Sequence, residues 1–182
     1  KSVGAEKFVS KSAINVKSEI SPLKKVLLHR PGKELLNLTP NTLERLLFDD
    51  IPFLKIAQKE HDEFAEVLKD NGVEVVYLED LAAEAISVSD EIREKFICQF
   101  IEEIGADEDV KTSLYKFLSS IKDSKELILK TMEGIRLEDI MSVSDSLPDK
   151  LASMEKSTLL ADPMPNLYFT RDNFASVGNG IT

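Results

Sequence analysis

Basic residues are scarce in this chain. Twenty-three lysines and arginines stand against 33 aspartates and glutamates in 182 residues, a formal net charge of -10. A phosphate backbone wants a compensating basic surface, so this balance disfavours nucleic acid as a main partner and leaves room only for a local basic pocket. Cysteine is scarcer still, with Cys98 alone. That removes any disulfide framework and any multi-cysteine metal site, and it suits a reducing compartment. Seven glycines and seven prolines are too few for a fibrous or low-complexity chain. No run approaches the roughly 20 apolar residues that cross a bilayer, and no signal peptide is readable, so the expectation is a soluble cytoplasmic protein without membrane contact.

The two histidines, His29 and His61, are not at metal-ligand spacing, and no phosphate-binding glycine loop, zinc signature or serine elbow is present. What the chain does have is 42% hydrophobic and 31% charged residues, the balance of a soluble globular protein with a sizeable core.

Three stretches differ in character. From about Ile14 to Ala83 the rhythm is α/β. Val26-Leu27-Leu28 reads as a short strand stopped by Arg30-Pro31-Gly32, and Thr39-Pro40 can open a helical turn. A helix is expected from Pro52 to Asp70, with Phe53, Ile56, Ala57, Phe64, Val67 and Leu68 as its apolar stripe. Asn71-Gly72 stops it, and Val73 to Leu78 reads as a second strand. From about Ala85 to Lys156 the pattern is helical: Asp90 to Ile104 with Phe96, Ile97, Phe100, Ile101 and Ile104 as its apolar stripe, Asp109 to Ile121 with Leu114, Phe117, Leu118 and Ile121, then Ser124 to Met132, and a shorter helix near Pro148 to Lys156. Residues 84–155 carry 17 acidic and 9 basic side chains, a net of -8, so most of the excess charge sits on the backs of these helices. The end is unusual. Ala161 to Asp172 packs two prolines, aromatics and opposed charges together, and Ser176 to Thr182 begins a further strand around Gly178-Asn179-Gly180.

Several chemistry-bearing residues read as structural. Cys98 lies mid-helix between Ile97 and Gln99 with no histidine nearby in sequence, as a partly buried structural cysteine would. His61, among charged residues, reads as a surface or boundary side chain. His29 ends the first strand, where packing or a local hydrogen bond is expected and a cleft is within reach. Leu46-Leu47-Phe48-Asp49-Asp50 has two readings: the acids cap the following helix, or they line a pocket for a cationic ligand. Asn166 to Asp172 carries the sharpest signal. A carboxylate such as Asp172 can grip a planar guanidinium through two parallel charge-assisted hydrogen bonds, Phe169 can wall the same pocket, and Asn166 can orient a polar end. A structural turn fits the same composition.

Pro165-Asn166-Leu167-Tyr168-Phe169-Thr170-Arg171-Asp172, continuing through Asn173 to Gly180, closely resembles the substrate-binding segment of bacterial arginine deiminases of the mycoplasma type. Leu46 to Asp50 resembles that family's Glu-Leu-Leu-Phe-Asp-Asp segment, with Arg45 here preceding the leucines. Leu27 to Gly32 resembles its first-strand turn, and Asp70-Asn71-Gly72-Val73 its helix-to-strand junction. The resemblance implies part of a five-bladed pseudosymmetric α/β propeller, with residues 1–83 as its start, 84–155 as an inserted helical domain and 156–182 as the return. It implies that Asp172 binds the guanidinium of L-arginine, Asn166 the amino-acid end, and that Phe169, Leu46 and Phe48 line the pocket or its entrance. Asp49, Asp50 and Arg171 would have supporting places.

The implied reaction is L-arginine plus water to L-citrulline plus ammonia, and the resemblance implies that it requires no metal and no organic cofactor. A cysteine thiolate attacks the guanidinium carbon, ammonia leaves, and water hydrolyses the covalent thiouronium. The family's nucleophilic cysteine, catalytic histidine, second aspartate and catalytic glutamate have no counterpart among these 182 residues, and Cys98 does not match the nucleophile. The expectation is a deiminase part completed by the C-terminal half or, as the alternative, an inactive truncated or split deiminase that acts as a self-associating or partner-bound remnant. An arginine-binding module and a related amidinotransferase or agmatine deiminase are the further readings.

Overall fold

The computed structural model describes residues 14, 16, 18, 20–142, 154–172, 175–177 and 180–181. The first unit is a parallel strand–helix–strand. Strand β1, Lys25–Leu28, pairs in register with β2, Glu74–Tyr77, so that Val26 meets Val75 and Leu27 meets Val76. Parallel neighbours need a long crossover. Here it is made by a 3-10 turn at Lys33–Asn37, the short helix α1 at Pro40–Leu43 and the long helix α2 at Leu54–Asp70. The predicted Thr39-Pro40 start is present, with the Thr39 amide donating to the Thr42 hydroxyl at 2.9 Å. Gly72 closes α2 at φ +77, a backbone region that favours glycine over residues with a Cβ.

Helices dominate the rest. Helix α3, Leu78–Ile86, follows β2 without a break, where the sequence reading placed only a strand end. Then come α4 (Asp90–Ile104), α5 (Glu108–Ser120) and α6 (Ser124–Glu133). Ser89 caps α4 by accepting the Ile92 amide, and Asp123 caps α6 by accepting the Glu126 amide at 2.8 Å. Strand β3, Ile135–Arg136, leads into α7, Leu137–Met141, and pairs antiparallel with β4, Leu159–Ala161. A 3-10 turn at Pro165–Tyr168 precedes the small antiparallel pair β5, Ser176–Val177, and β6, Gly180–Ile181. The expected helix near Pro148 to Lys156 falls largely outside the described residues; Met154 to Lys156, which are described, are not helical.

The core is helical. Ile97, Leu114, Leu118, Leu127, Ile135, Leu137 and Ile140 are almost wholly removed from water, and α3, α4 and α6 pack around them. The predicted stripes on α4 and α5 face this core: Ile97, Phe100 and Ile101 from one, Leu114 and Leu118 from the other.

Three expectations need correction. The described residues do not form part of a five-bladed α/β propeller. They make a small, mostly α-helical domain with three separate two-stranded sheets and no closed or curled sheet. The β-rich runs are only two to four residues long, and most apolar side chains recur at helical spacing, so burial proceeds helix on helix. The stripe predicted for α2 faces inward only in part, at half-buried Ala57 and Leu68. Phe53, Ile56, Phe64 and Val67 are exposed, and the buried side chains are His61 and Ala65, on a narrower face toward β2 and the first 3-10 turn. Cys98 is exposed rather than partly buried, because the inward face of α4 is carried by its neighbours Ile97 and Phe100.

A candidate guanidinium-binding wall

Two stretches far apart in sequence meet on one side of β1. The first is the turn after α1. Leu46 N–H donates to Thr42 O at 2.9 Å and Phe48 N–H to Leu43 O at 3.0 Å, which curls residues 44–48 back on α1. Leu47 completes the curl at φ +60, a left-handed conformation rare for a residue with a Cβ, and its side chain is 85% exposed. Asp49 and Asp50 follow, both exposed. Asp50 Oδ1 accepts the Ile51 amide at 2.7 Å, and Phe53 rather than either acid stands at the N-cap of α2 without a side-chain cap bond. The helix-capping reading of the acid pair is therefore replaced by a local turn.

The second stretch is residues 161–172. Its backbone is pinned at the start, where Met164 N–H donates to Met132 O at 2.9 Å. Gly134 lies so close that a Cβ there would stand 2.8 Å from Pro163 N and 2.9 Å from Ala161 O. Asn166 is half-buried on the 3-10 turn, and its side-chain amide donates to Leu46 O at 3.0 Å. Phe169 sets its ring 6.4 Å from that of Phe48 and 5.2 Å from that of Tyr168. The Thr170 hydroxyl donates to Leu27 O at 2.9 Å, fastening the segment to β1. Arg171 and Asp172 are exposed, and the Asp172 amide closes a turn onto Phe169 O at 3.0 Å. The sequence-predicted residues Leu46, Phe48, Asn166 and Phe169 thus lie together, with Asp172 at the end of the same turn; Asp49 and Asp50 stand on the solvent side.

Sequence reading missed Arg45 and Asp162. The Arg45 guanidinium grips the Asp162 carboxylate through both nitrogens, Nη1 to Oδ2 and Nη2 to Oδ1 at 2.8 Å. This contact holds the Asp162 carboxyl below its usual range. Opposite charges 117 positions apart leave no local signal. A second bidentate pair, Arg30 Nε to Asp62 Oδ1 at 2.7 Å and Nη2 to Oδ2 at 2.8 Å, joins the end of β1 to α2.

Both histidines are buried, which corrects the surface reading of His61 and bears out the local hydrogen bond expected of His29. His29 lies between two carboxylates, Nδ1 2.9 Å from Glu79 Oε2 and Nε2 3.1 Å from Glu34 Oε1. Burial opposes its charge, but the hydrogen bonds and charges of Glu34 and Glu79 together outweigh it and push the imidazole up to about 9. Glu34 also accepts the Gly32 amide at 2.5 Å. His61 sits between the rings of Tyr77 and Tyr168, 6.1 Å from each, with Nδ1 buried and unpaired. Burial pushes its pKa down.

Cys98 has none of the surroundings of a nucleophile. Local desolvation and the Glu94 carboxylate, 3.7 Å from the sulfur, raise its thiol pKa, the reverse of what thiolate chemistry needs. Among the described residues no group of three or more His, Cys, Asp or Glu is placed to hold a metal ion, and no helix is long and apolar enough to cross a membrane.

The described residues form a helical domain on which an aromatic and amide cluster shares one turn with an exposed carboxylate. Comparison with known proteins supplies the family. The arginine deiminase family model matches residues 44–182. An arginine deiminase of Treponema denticola is 61% identical over 173 residues, 94% of this chain and 42% of that protein. Those of Clostridium perfringens and Streptococcus pneumoniae are 53% and 52% identical, over 93% and 96% of this chain and 41% and 43% of theirs. The chain belongs to the arginine deiminase family, and it spans less than half the length of these relatives.

Proposed function

We propose that this chain is the guanidinium-gripping part of an arginine deiminase and is catalytically incomplete by itself. Asp172 takes the substrate guanidinium in a bidentate grip, and Asn166 holds the amino-acid end. Phe169, with Leu46 and Phe48 across from it, forms the apolar wall. Asp49, Asp50 and Arg171 support the rim. Cys98 has the wrong surroundings for a nucleophile, so the thiolate that attacks the guanidinium carbon and the acid that protonates departing ammonia come from the part of the family protein outside these 182 residues. The division into residues 1–83, 84–155 and 156–182 and a cytoplasmic location belong to the same proposal.

The observation that carries this reading is the junction of the two motif stretches, Asn166 Nδ2 on Leu46 O and Phe48 beside Phe169, next to an exposed Asp172. Family membership supplies the substrate class. The test mixes this chain with the remaining part of the Treponema denticola enzyme and follows citrulline. Neither part alone should form citrulline, the mixture should, and Asp172→Ala should abolish it. A chain that assembles only with itself and yields no citrulline in the mixture would favour an inactive self-associating remnant.

A further inference from the structure

The Arg45–Asp162 pair has a place that its exposure alone does not explain. One partner is fixed. Asp162 stands on backbone pressed against Gly134 and tied to Met132, at the rim of the helical core. The other rides on the turn 44–48, whose Leu47 is held at φ +60. Three contacts run in the same order along both stretches: Arg45 to Asp162, Leu46 O to Asn166, and Phe48 to Phe169. The bidentate pair is the first and the only charged one of the three. A fork-to-fork contact fixes direction as well as distance, which a single-point ion pair does not.

Resting on the proposed function above, we propose that Arg45 and Asp162 are positioning residues: their ion pair sets the placement of the turn 44–48 over Asn166 and Phe169, and so the shape of the arginine-binding wall, without touching the substrate. Breaking the pair removes the one charged contact that ties the turn to residues 161–172. Leu47 then relaxes from its left-handed conformation, which costs energy for any residue with a Cβ. The Leu46 carbonyl moves off Asn166, and Phe48 leaves Phe169. Substrate affinity should suffer before chemistry does, because the displaced groups line the wall and take no part in bond making.

The first test uses the chain as it stands. Amide hydrogen exchange is followed in Arg45→Ala, Asp162→Asn and the charge swap Arg45→Asp/Asp162→Arg. Both single variants should speed exchange roughly tenfold at Leu46 and Phe48, whose amides tie the turn back to α1, while β1 and β2 keep their protection; the swap should recover most of it. Unchanged exchange in the single variants, or a swap no better than they are, overturns the inference. Both side chains are exposed, so the variants should fold.

The second test uses the reconstituted enzyme. Arg45→Ala should raise KM by roughly five- to tenfold with kcat within about twofold, and Arg45→Lys should recover only part of it. A fall in kcat at unchanged KM overturns the positioning role. Full activity in Asp172→Ala would instead overturn the proposed function, while hydrogen exchange would still decide whether the pair places the turn.

Discussion

His29 Nδ1 lies 2.9 Å from Glu79 Oε2 inside the protein, 50 positions apart in sequence, and its other ring nitrogen reaches Glu34. The contact joins the end of β1, the first 3-10 turn and α3. A charged imidazole between two carboxylates satisfies all three polar groups at once, and losing the charge would leave two carboxylates around a neutral ring.

Stability should therefore fall toward alkaline pH. The folded pKa of His29, about 9, lies above the unfolded value near 6.5. Its contribution is complete below the unfolded value and is lost as pH rises through about 9. Urea denaturation of wild type and His29→Gln between pH 6 and 9.5 checks this. The variant should be less stable by a few kcal/mol at pH 6, and the two curves should converge at the alkaline end. Parallel curves would show that His29 carries no such linkage.

His61 should behave in the opposite sense. Its folded pKa is lowered by burial, so its contribution is present above the unfolded value and is lost as pH falls. Ring-proton NMR should show two separated titrations, His29 above and His61 below an exposed histidine. His61→Phe keeps a ring between Tyr77 and Tyr168 and removes the unpaired Nδ1, so it should hold stability within about 1 kcal/mol at neutral pH. A loss of several kcal/mol would mean that Nδ1 has a partner.

The thiol offers a chemical check. Cys98 is exposed, yet its pKa is raised, so alkylation by iodoacetamide should be slow at pH 7 and speed up steeply on the alkaline side. Cys98→Ser should leave citrulline formation by the reconstituted enzyme unchanged. Lost activity in that variant would reinstate Cys98 as a nucleophile.

Packing predicts a contrast between two hydrophobic residues. Leu118 is fully buried in the helical core, and Leu118→Ala should cost about 3 kcal/mol. Phe64 on α2 is more than half exposed, and Phe64→Ser should change stability by less than about 1 kcal/mol. Equal losses at the two positions would mean that the α2 stripe is buried in solution.

Local chemistry was legible in the order of residues. Thr39-Pro40 opened a helix, Asn71-Gly72 closed one, and the stripes of α4 and α5 announced their buried faces. Asn166 and Phe169 stand out because an amide and an aromatic ring beside a carboxylate suit cation binding, whereas Leu46 and Phe48 are marked only by the resemblance of their segment to one in a known family. Tertiary structure alone decided which of these side chains meet. Periodicity shows that a helix has an apolar stripe but not that anything covers it, so α2 turned His61 inward and left Phe64 in water. Short apolar runs suggested strands, but how many strands join a sheet depends on partners distant in the chain, and among the described residues each sheet has two. The pairing of Arg45 with Asp162 and the enclosure of His29 by Glu34 and Glu79 follow the same logic. Each is a contact between charges whose neighbours in sequence say nothing about one another.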